Sequence, residues 1–253
     1  MFDDLRGKAV LVTGASTGIG AAVAAGFGEV GARVAVHFRQ SRGPATEVAG
    51  RIRAAGGEAV LVQGDVTLIS GVERIVDEAV GAFGGLDVVI HNAGDVHKRG
   101  DIDQASDADI DAIIDLNARA VVTVARAALP HLRASKGNLV ATTSVAARQA
   151  GGPGTPIYSA SKAFAQGIVR FLARDLAPEG VRVNAVAPGL ILTPLQDRNT
   201  TPEQLELMTR RIPMGRAGLP EDLVGAYLYL ASNKLAGFVT GATIDVNGGQ
   251  YLS

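Results

Sequence analysis

Short apolar runs alternate along the chain with longer stretches of helix-forming residues. Lys8–Thr13 (KAVLVT) is rich in β-branched side chains with no polar alternation, the pattern of a strand buried on both faces of a parallel sheet. Ala21–Val30 then reads as a helix stopped by Gly31. The same alternation continues with strands at Arg33–Phe38, Ala59–Gln63, Leu86–His91, Asn138–Thr143, Val181–Ala187 and Thr243–Val246. Helices are expected over Pro44–Ala55, Leu68–Phe83, Ser106–Arg133, Tyr158–Ala177 and Pro220–Ala231. No polar, Ser-rich or Pro-rich tract divides the chain, so residues 1–253 read as one α/β domain. Right-handed crossovers then give a doubly wound parallel sheet of about seven strands, with helices on both faces. In such sheets ligands bind beyond the carboxyl ends of the strands, where Gly14, Asp65, Asn92, Ser144 and Pro188 all fall.

Two local patterns give that edge a chemistry. Gly14-Ala15-Ser16-Thr17-Gly18-Ile19-Gly20 lies between the first strand and its helix. Gly14 permits a tight turn, Gly18 a close approach of backbone to a pyrophosphate, and Gly20 close packing of helix on strand. The helix start offers free N–H groups to phosphates. Downstream, Tyr158 and Lys162 are four residues apart and share one helix face. A phenol ionises near pH ~10, and an ammonium beside it is expected to lower that value toward neutrality. Ser144, just upstream, adds a hydroxyl for a carbonyl or alcohol oxygen.

Composition narrows the field. The chain has 24 basic and 25 acidic residues, which argues against a nucleic-acid surface. It has no cysteine, so disulfides, thiolate catalysis and zinc–sulfur sites are excluded. His37, His91, His97 and His131 show no ligand spacing, and no metal is expected. The acidic run Asp101, Asp103, Asp107, Asp109, Asp111 and Asp115 lacks the glycine and glutamate of a calcium loop. Ser106 with Asp109 instead resembles a capping box at a helix start. No apolar run is long enough to span a bilayer and no signal peptide fits, so a cytoplasmic protein is expected.

The spacing Gly-x-x-x-Gly-x-Gly after Thr13, with Tyr-x-x-x-Lys downstream, resembles the short-chain dehydrogenase/reductase family over nearly the whole length. Further motifs fall in order: Asp65-Val66, His91-Asn92-Ala93-Gly94, Asn117 and Pro188-Gly189-Leu190-Ile191-Leu192-Thr193. The resemblance implies a Rossmann-type fold and an NAD(P)-dependent oxidoreductase interconverting a carbonyl and a secondary alcohol on a small molecule. It maps the catalytic roles onto Asn117, Ser144, Tyr158 and Lys162. Tyr158 would be the general acid and base, Ser144 would bind the reacting oxygen, and Lys162 would hold the nicotinamide ribose. Asn117 would hold a water that links Lys162 to solvent. Cofactor contacts map onto Gly14, Ser16, Thr17, Gly18, Ile19 and Gly20 for the phosphates, and Asp65 and Val66 for adenine. Asn92, Ala93 and Gly94 would back the ribose, and Pro188, Gly189, Ile191 and Thr193 the nicotinamide. His91 departs from the family's usual Asn.

Where NAD-preferring relatives carry an acid near Phe38, this chain has Arg39, Ser41 and Arg42, which suit a 2′-phosphate. NADP(H) is therefore favoured, with NAD(H) possible, although Thr17 stands where many NADP-dependent relatives carry a base. Val145–Pro156 and residues 190–216 are expected to cover the substrate, with a lid helix starting at Thr200-Thr201-Pro202-Glu203. His97, Gln149, Leu195 and Met214 are secondary candidates for the pocket, and no cluster of bases is apparent near it. A homotetramer is implied through the fourth and fifth helices and the last strand, with Phe164, Ile168 and Phe171 as candidates for buried apolar surface. A 3-oxoacyl-carrier-protein reductase is the rival within the family; a dinucleotide-binding scaffold without chemistry is the rival outside it.

Overall fold

In the computed structural model, which describes residues 1–152 and 154–252, one parallel sheet carries the fold. Its strands are β1 (Ala9–Val12), β2 (Arg33–Phe38), β3 (Glu58–Gln63), β4 (Val88–His91), β5 (Asn138–Thr142), β6 (Arg182–Pro188) and β7 (Thr243–Val246). Their order is β3-β2-β1-β4-β5-β6-β7, with every neighbouring pair parallel. The order reverses between β1 and β4, which opens a crevice at their carboxyl ends. This is the Rossmann-type arrangement expected.

Alternation along each strand divides the core in two. Val10, Val12, Val34, Val36 and Ile90 point to one face. They pack there against α1 (Gly18–Glu29), α2 (Arg42–Ala54) and, further along the chain, the helix Glu221–Ala231 with its Tyr227. Ala9, Leu11, Val89, Leu139 and Val183 point to the other, toward α3 (Ile69–Phe83) and the helices Ala120–Ser135 and Pro156–Leu176. Both faces are covered, so the strands read as unbroken apolar runs rather than as period-two patterns.

The helix expected over Ser106–Arg133 is three joined pieces: α4 (Asp107–Ile114), a π-helical segment (Asp115–Arg119) and α5 (Ala120–Ser135). The Ala120 N–H reaches back to the Asp115 carbonyl, the five-residue step of a π turn. Ser106 caps α4 by accepting from the Asp109 N–H at 3.2 Å, and its hydroxyl donates to the Asp109 carboxylate at 2.8 Å. Of the acidic run, Asp107 and Asp109 lie in the first turn of α4, while Asp101 and Asp103 belong to the preceding 3₁₀ turn; no metal-binding group of acids and histidines occurs among the described residues.

A short helix, α6 (Ala146–Gln149), follows β5, and α7 (Pro156–Leu176) begins on the proline that suits its first turn. After β6 come α8 (Pro194–Asn199) and α9 (Pro202–Thr209), then α10 (Glu221–Ala231) and α11 (Asn233–Ala236). The start of α9 is as expected, capped reciprocally by Thr201 and Gln204; α8 was not anticipated. On α7, Phe164 is 49 % and Phe171 67 % exposed, while Ile168 packs against the core. No helix among the described residues is long and apolar enough to cross a membrane.

Candidate active site

The crevice is built on the turn after β1. Gly14 and Gly18 take left-handed φ values of 64° and 57°, which only glycine adopts without strain. A Cβ on Gly20 would lie 2.2 Å from the Gly14 carbonyl, so α1 seats on the turn only with glycine there. Thr17 starts α1 without a side-chain cap, which leaves the first-turn N–H groups for an anion. A backbone cradle closed to side chains, at a helix start, fits the pyrophosphate of a dinucleotide.

Buried polar side chains hold this turn. The His37 ring, on β2, accepts from the Gly14 N–H at 2.9 Å and donates Nε2–H to the Gly64 carbonyl at 3.1 Å. Both contacts require the neutral ring, and burial keeps its pKa below the usual value. Asn92 donates to the carbonyls of Thr13 and Gly14 at 3.3 and 3.2 Å. The Thr13 hydroxyl accepts from the N–H groups of Asn92 and Ala93, both at 3.0 Å. The Thr142 hydroxyl donates to Asn92 Oδ1 at 3.3 Å and pairs with the buried Tyr227 hydroxyl at 2.6 Å. The ends of β1, β4 and β5 are thereby tied into one polar network, to which β2 and the end of β3 are joined through His37. Nothing in the local sequence marks His37 or Tyr227 for this, because each is one residue in an apolar run.

His91 is the exception in the network. Its Nδ1 lies 3.4 Å from the Thr13 hydroxyl, and its Nε2 is buried with no partner. Burial first, then the charge of Lys162, lower its pKa to about 3, so the ring stays neutral.

At the adenosine end, burial works against the Asp65 charge, but hydrogen bonds from Thr67 and the nearby Arg39 hold its pKa below the usual range. One carboxylate oxygen accepts from the Thr67 N–H (3.0 Å) and hydroxyl (2.7 Å). The other faces Arg39 at 3.6 Å, while Arg42, the first residue of α2, stacks over Phe38 at 5.9 Å. Val66 is buried beside Asp65, and Ser41 is exposed between the two arginines.

Ser144 follows β5, and Tyr158 and Lys162 share the inward face of α7. The Ser144 hydroxyl accepts from the Ala146 N–H at 3.1 Å and lies near enough to the Tyr158 hydroxyl to favour its ionisation. Lys162 is 4 % exposed; its Nζ donates to the Thr142 carbonyl at 3.0 Å and lies 5.8 Å from the centroid of the Tyr158 ring. Burial lowers its pKa to about 8. The expected acidification of Tyr158 by Lys162 is not what the structure gives. Burial raises the phenol above its usual value, Asp95 adds to the rise, and Ser144 and Arg99 only partly oppose it. The Lys162 ammonium donates instead to a carbonyl of β5.

Asn117 sits in the π segment and is 1 % exposed. Its amide donates to the carbonyls of Asp95 (2.8 Å) and Ile113 (3.0 Å), and its oxygen accepts from the Asp95 N–H at 3.2 Å. The Asn117 side chain thus fastens the loop after β4. A Cβ on Gly94 would lie 2.8 Å from Asn117 Oδ1 and 2.9 Å from Lys162 Nζ, so the three residues converge.

Pro188 ends β6, and the Leu190 N–H donates to Gln250 at 2.9 Å. Arg148 of α6 pairs with Asp245 and stacks on Tyr251 at 4.7 Å, so the last residues also brace the segment after Ser144. Ile191 bridges to Gly218, and Thr193 caps α8 with its methyl 3.2 Å from where a Gly18 Cβ would be. Between those points α8 and α9 form an excursion whose apolar residues Leu190, Leu205, Met208, Ile212 and Ala217 make a small cluster of their own. Met214 lines a shallow cavity of about 190 Å³ there with Leu190 and Ile191. A second cavity, of about 120 Å³, adjoins Tyr158 and is lined by Lys98, Arg99, Ile113 and Ile157 among others. His97 and Gln149 line neither. Lys98 and Arg99 lie a few residues beyond Asn92-Ala93-Gly94, and sequence reasoning had not singled them out.

A family model described as enoyl-(acyl carrier protein) reductase matches residues 14–250. The chain is 38% identical to a 3beta-hydroxysteroid dehydrogenase 1 of Eggerthella lenta, over 100% of this chain and 97% of that protein. It is 36% identical to a 3-oxoacyl-[acyl-carrier-protein] reductase of Staphylococcus aureus, over 97% and 98%. Among solved structures, an NADH-dependent reductase A1-R′ complexed with NAD superposes with a TM-score of 0.89 at 36% identity, covering 100% of both chains.

Proposed function

We propose, on the premise that this chain belongs to the short-chain dehydrogenase/reductase family, that it interconverts a carbonyl and a secondary alcohol with Tyr158 as general acid and base. The observation that carries this reading is the meeting of Tyr158 with Ser144 and Lys162 beside the glycine turn. Bound in that crevice, a nicotinamide dinucleotide would supply or accept the hydride.

In the reducing direction Tyr158 donates its proton to the developing alkoxide, and its raised pKa keeps that proton in place at neutral pH. Ser144 donates to the same oxygen and fixes its position. Lys162 has three N–H donors, one of which is used on Thr142, leaving two for a ribose hydroxyl and the tyrosine side. Asn117 is a positioning residue that holds Gly94 and Asp95 against Lys162. Holding the reactants in one geometry accounts for much of the rate.

The remaining roles follow the motifs. Gly14, Ser16, Thr17, Gly18, Ile19 and Gly20 take the phosphates; Asp65 and Val66 take adenine; Asn92, Ala93 and Gly94 back the ribose. Pro188, Gly189, Ile191 and Thr193 border the nicotinamide. Arg39, Ser41 and Arg42 favour NADP(H) over NAD(H), since no carboxylate replaces them at the end of β2. Residues 190–216 act as the substrate cover. The working form is a cytoplasmic homotetramer that buries Phe164 and Phe171 of α7, with α5 and the β7 edge, between copies.

A second reading, reduction of 3-oxoacyl thioesters, is favoured by the exposed Leu192, Leu207, Met214 and Leu219 around the cover, which suit an acyl chain. Both readings are tested by loss of reduced-nicotinamide absorbance with a panel of ketones, sugars and acetoacetyl thioesters. Consumption with any of them supports the oxidoreductase, preference for the thioester selects the second reading, and no consumption across the panel overturns both.

A further inference from the structure

Ser144 is held in two ways. Its backbone lies between two bonds to β6: the Thr143 N–H donates to the Val186 carbonyl at 2.8 Å, and the Val145 N–H to the Pro188 carbonyl at 3.0 Å. Its side chain is aimed separately, because Oγ accepts from the Ala146 N–H at 3.1 Å. That bond occupies one lone pair and leaves the hydroxyl hydrogen for a partner in the crevice. Ala146 is the first residue of α6, so the direction of the Ser144 hydroxyl depends on where that helix sits.

Left to itself, α6 would not hold its place. It is four residues long, far below the length at which a helix is stable alone. It ends in two left-handed residues, Ala150 at φ 61° and Gly151 at φ 68°, and the first of these is unfavourable for a residue with a Cβ. The tie comes from the far end of the chain. Arg148 donates to the carboxylate of Asp245, 97 residues on, in the edge strand β7. The two side chains are only 17 % and 21 % exposed, so solvent and salt screen the pair little. The Arg148 guanidinium also stacks on the Tyr251 ring at 4.7 Å. Tyr251 is fixed in turn: its carbonyl accepts from Asn247 Nδ2 at 2.9 Å, and Asn247 Oδ1 accepts from the Gly249 N–H at 2.9 Å. The last strand and the turn after it thus set the place of α6.

We propose that Arg148, held by Asp245 and Tyr251, is a positioning residue that aims the Ser144 hydroxyl at the reacting oxygen. This rests on the oxidoreductase reading and adds a residue to its machinery. Arg148 acts through α6 and the Ala146 N–H, without touching the substrate.

The test measures reduction of acetoacetyl-CoA, ethyl acetoacetate and cyclohexanone with NADPH. Arg148→Met should lower kcat by about ten- to hundredfold and leave KM for NADPH unchanged. Arg148→Lys, which keeps the charge, should recover part of the loss. In a Ser144→Ala background Arg148→Met should add no further loss, whereas a residue acting independently of Ser144 would lower kcat again by the same factor. Asp245→Asn changes little in size and serves where Arg148→Met does not fold. Its effect is read without turnover, by NMR of the cofactor-free protein labelled at tyrosine Cζ, with the Tyr158 signal identified by its loss in Tyr158→Phe. Ser144 favours ionisation of that phenol, so a misdirected Ser144 moves the titration to higher pH. Removing a carboxylate would, by charge alone, move it to lower pH. Asp95, Arg99 and Lys162, the charged groups around the phenol, are the same in both proteins. An upward shift in Asp245→Asn supports the proposal. A downward shift or none overturns it, and so does an additive loss in the Ser144→Ala background. Turnover of no probe by the unaltered protein overturns the oxidoreductase reading, and the titration still decides for Arg148.

Discussion

The Lys162 ammonium donates to the Thr142 carbonyl at 3.0 Å, deep enough for burial to lower its pKa from 10.5 to about 8. The folded protein therefore carries a charge that the unfolded chain solvates better. That penalty is complete below pH 8, where both states are protonated, and it disappears as pH rises toward 10.5, where both are neutral. Lys162→Met should accordingly abolish turnover and raise stability at pH 7, by on the order of 3 kcal/mol. The gain should shrink between pH 8 and 10.5. Urea unfolding of both forms across that range checks it, and a variant less stable than the parent at pH 7 would be the wrong sign.

Tyr158 differs from Lys162 in the direction that matters for proton donation. Its pKa is raised in the cofactor-free protein, so difference spectra between the parent and Tyr158→Phe should place its ionisation above pH 10. The same variant should lose about 10²- to 10⁴-fold in kcat and keep its affinity for the dinucleotide. An ionisation step below pH 8 without cofactor would contradict the burial seen here.

His91 makes the fold sensitive to acid. Its ring is held neutral to about pH 3, whereas an unfolded histidine takes up a proton near 6.5. Stability from this residue is complete above 6.5 and is lost as pH falls toward 3. His91→Asn removes both the titration and the unpartnered Nε2. It should hold its Tm better than the parent between pH 6 and 4; parallel Tm curves would refute the account.

Arg39 faces Asp65 at 3.6 Å, so a carboxylate placed at 39 would meet another carboxylate as well as the cofactor's 2′ position. Arg39→Asp should lower the NADPH-to-NADH ratio of kcat/KM by about tenfold or more. Steady-state rates with each cofactor at one ionic strength measure this, and an unaltered ratio would remove Arg39 from phosphate recognition.

Much of the fold was legible because a parallel sheet covered on both faces needs unbroken apolar strands, and Lys8–Thr13 or Val181–Ala187 can be little else. The glycine turn was legible for the same reason that it works, since Gly14, Gly18 and Gly20 occupy places where a Cβ is strained or crowded. What escaped was set by contacts distant in sequence. The π turn at Asn117 accompanies its bonds to Asp95 and Ile113, which a continuous helical pattern hides. The rise in the Tyr158 pKa comes from burial by the assembled crevice, while spacing reveals only that Lys162 is near. Arg99 is an ordinary loop residue until Gly152 and Gly154 come alongside it.

The excursion between Ile191 and Gly218 has its own apolar cluster, in which Leu205 and Met208 pack with Leu190, Ile212 and Ala217. Its ends are pinned within a few ångströms of each other, by Leu192 N–H to the Gly218 carbonyl and Gly218 N–H to the Leu190 carbonyl, each at 2.9 Å. Because both ends are tied together, an insertion, deletion or graft between them would leave the glycine turn, Ser144, Tyr158 and Lys162 where they are.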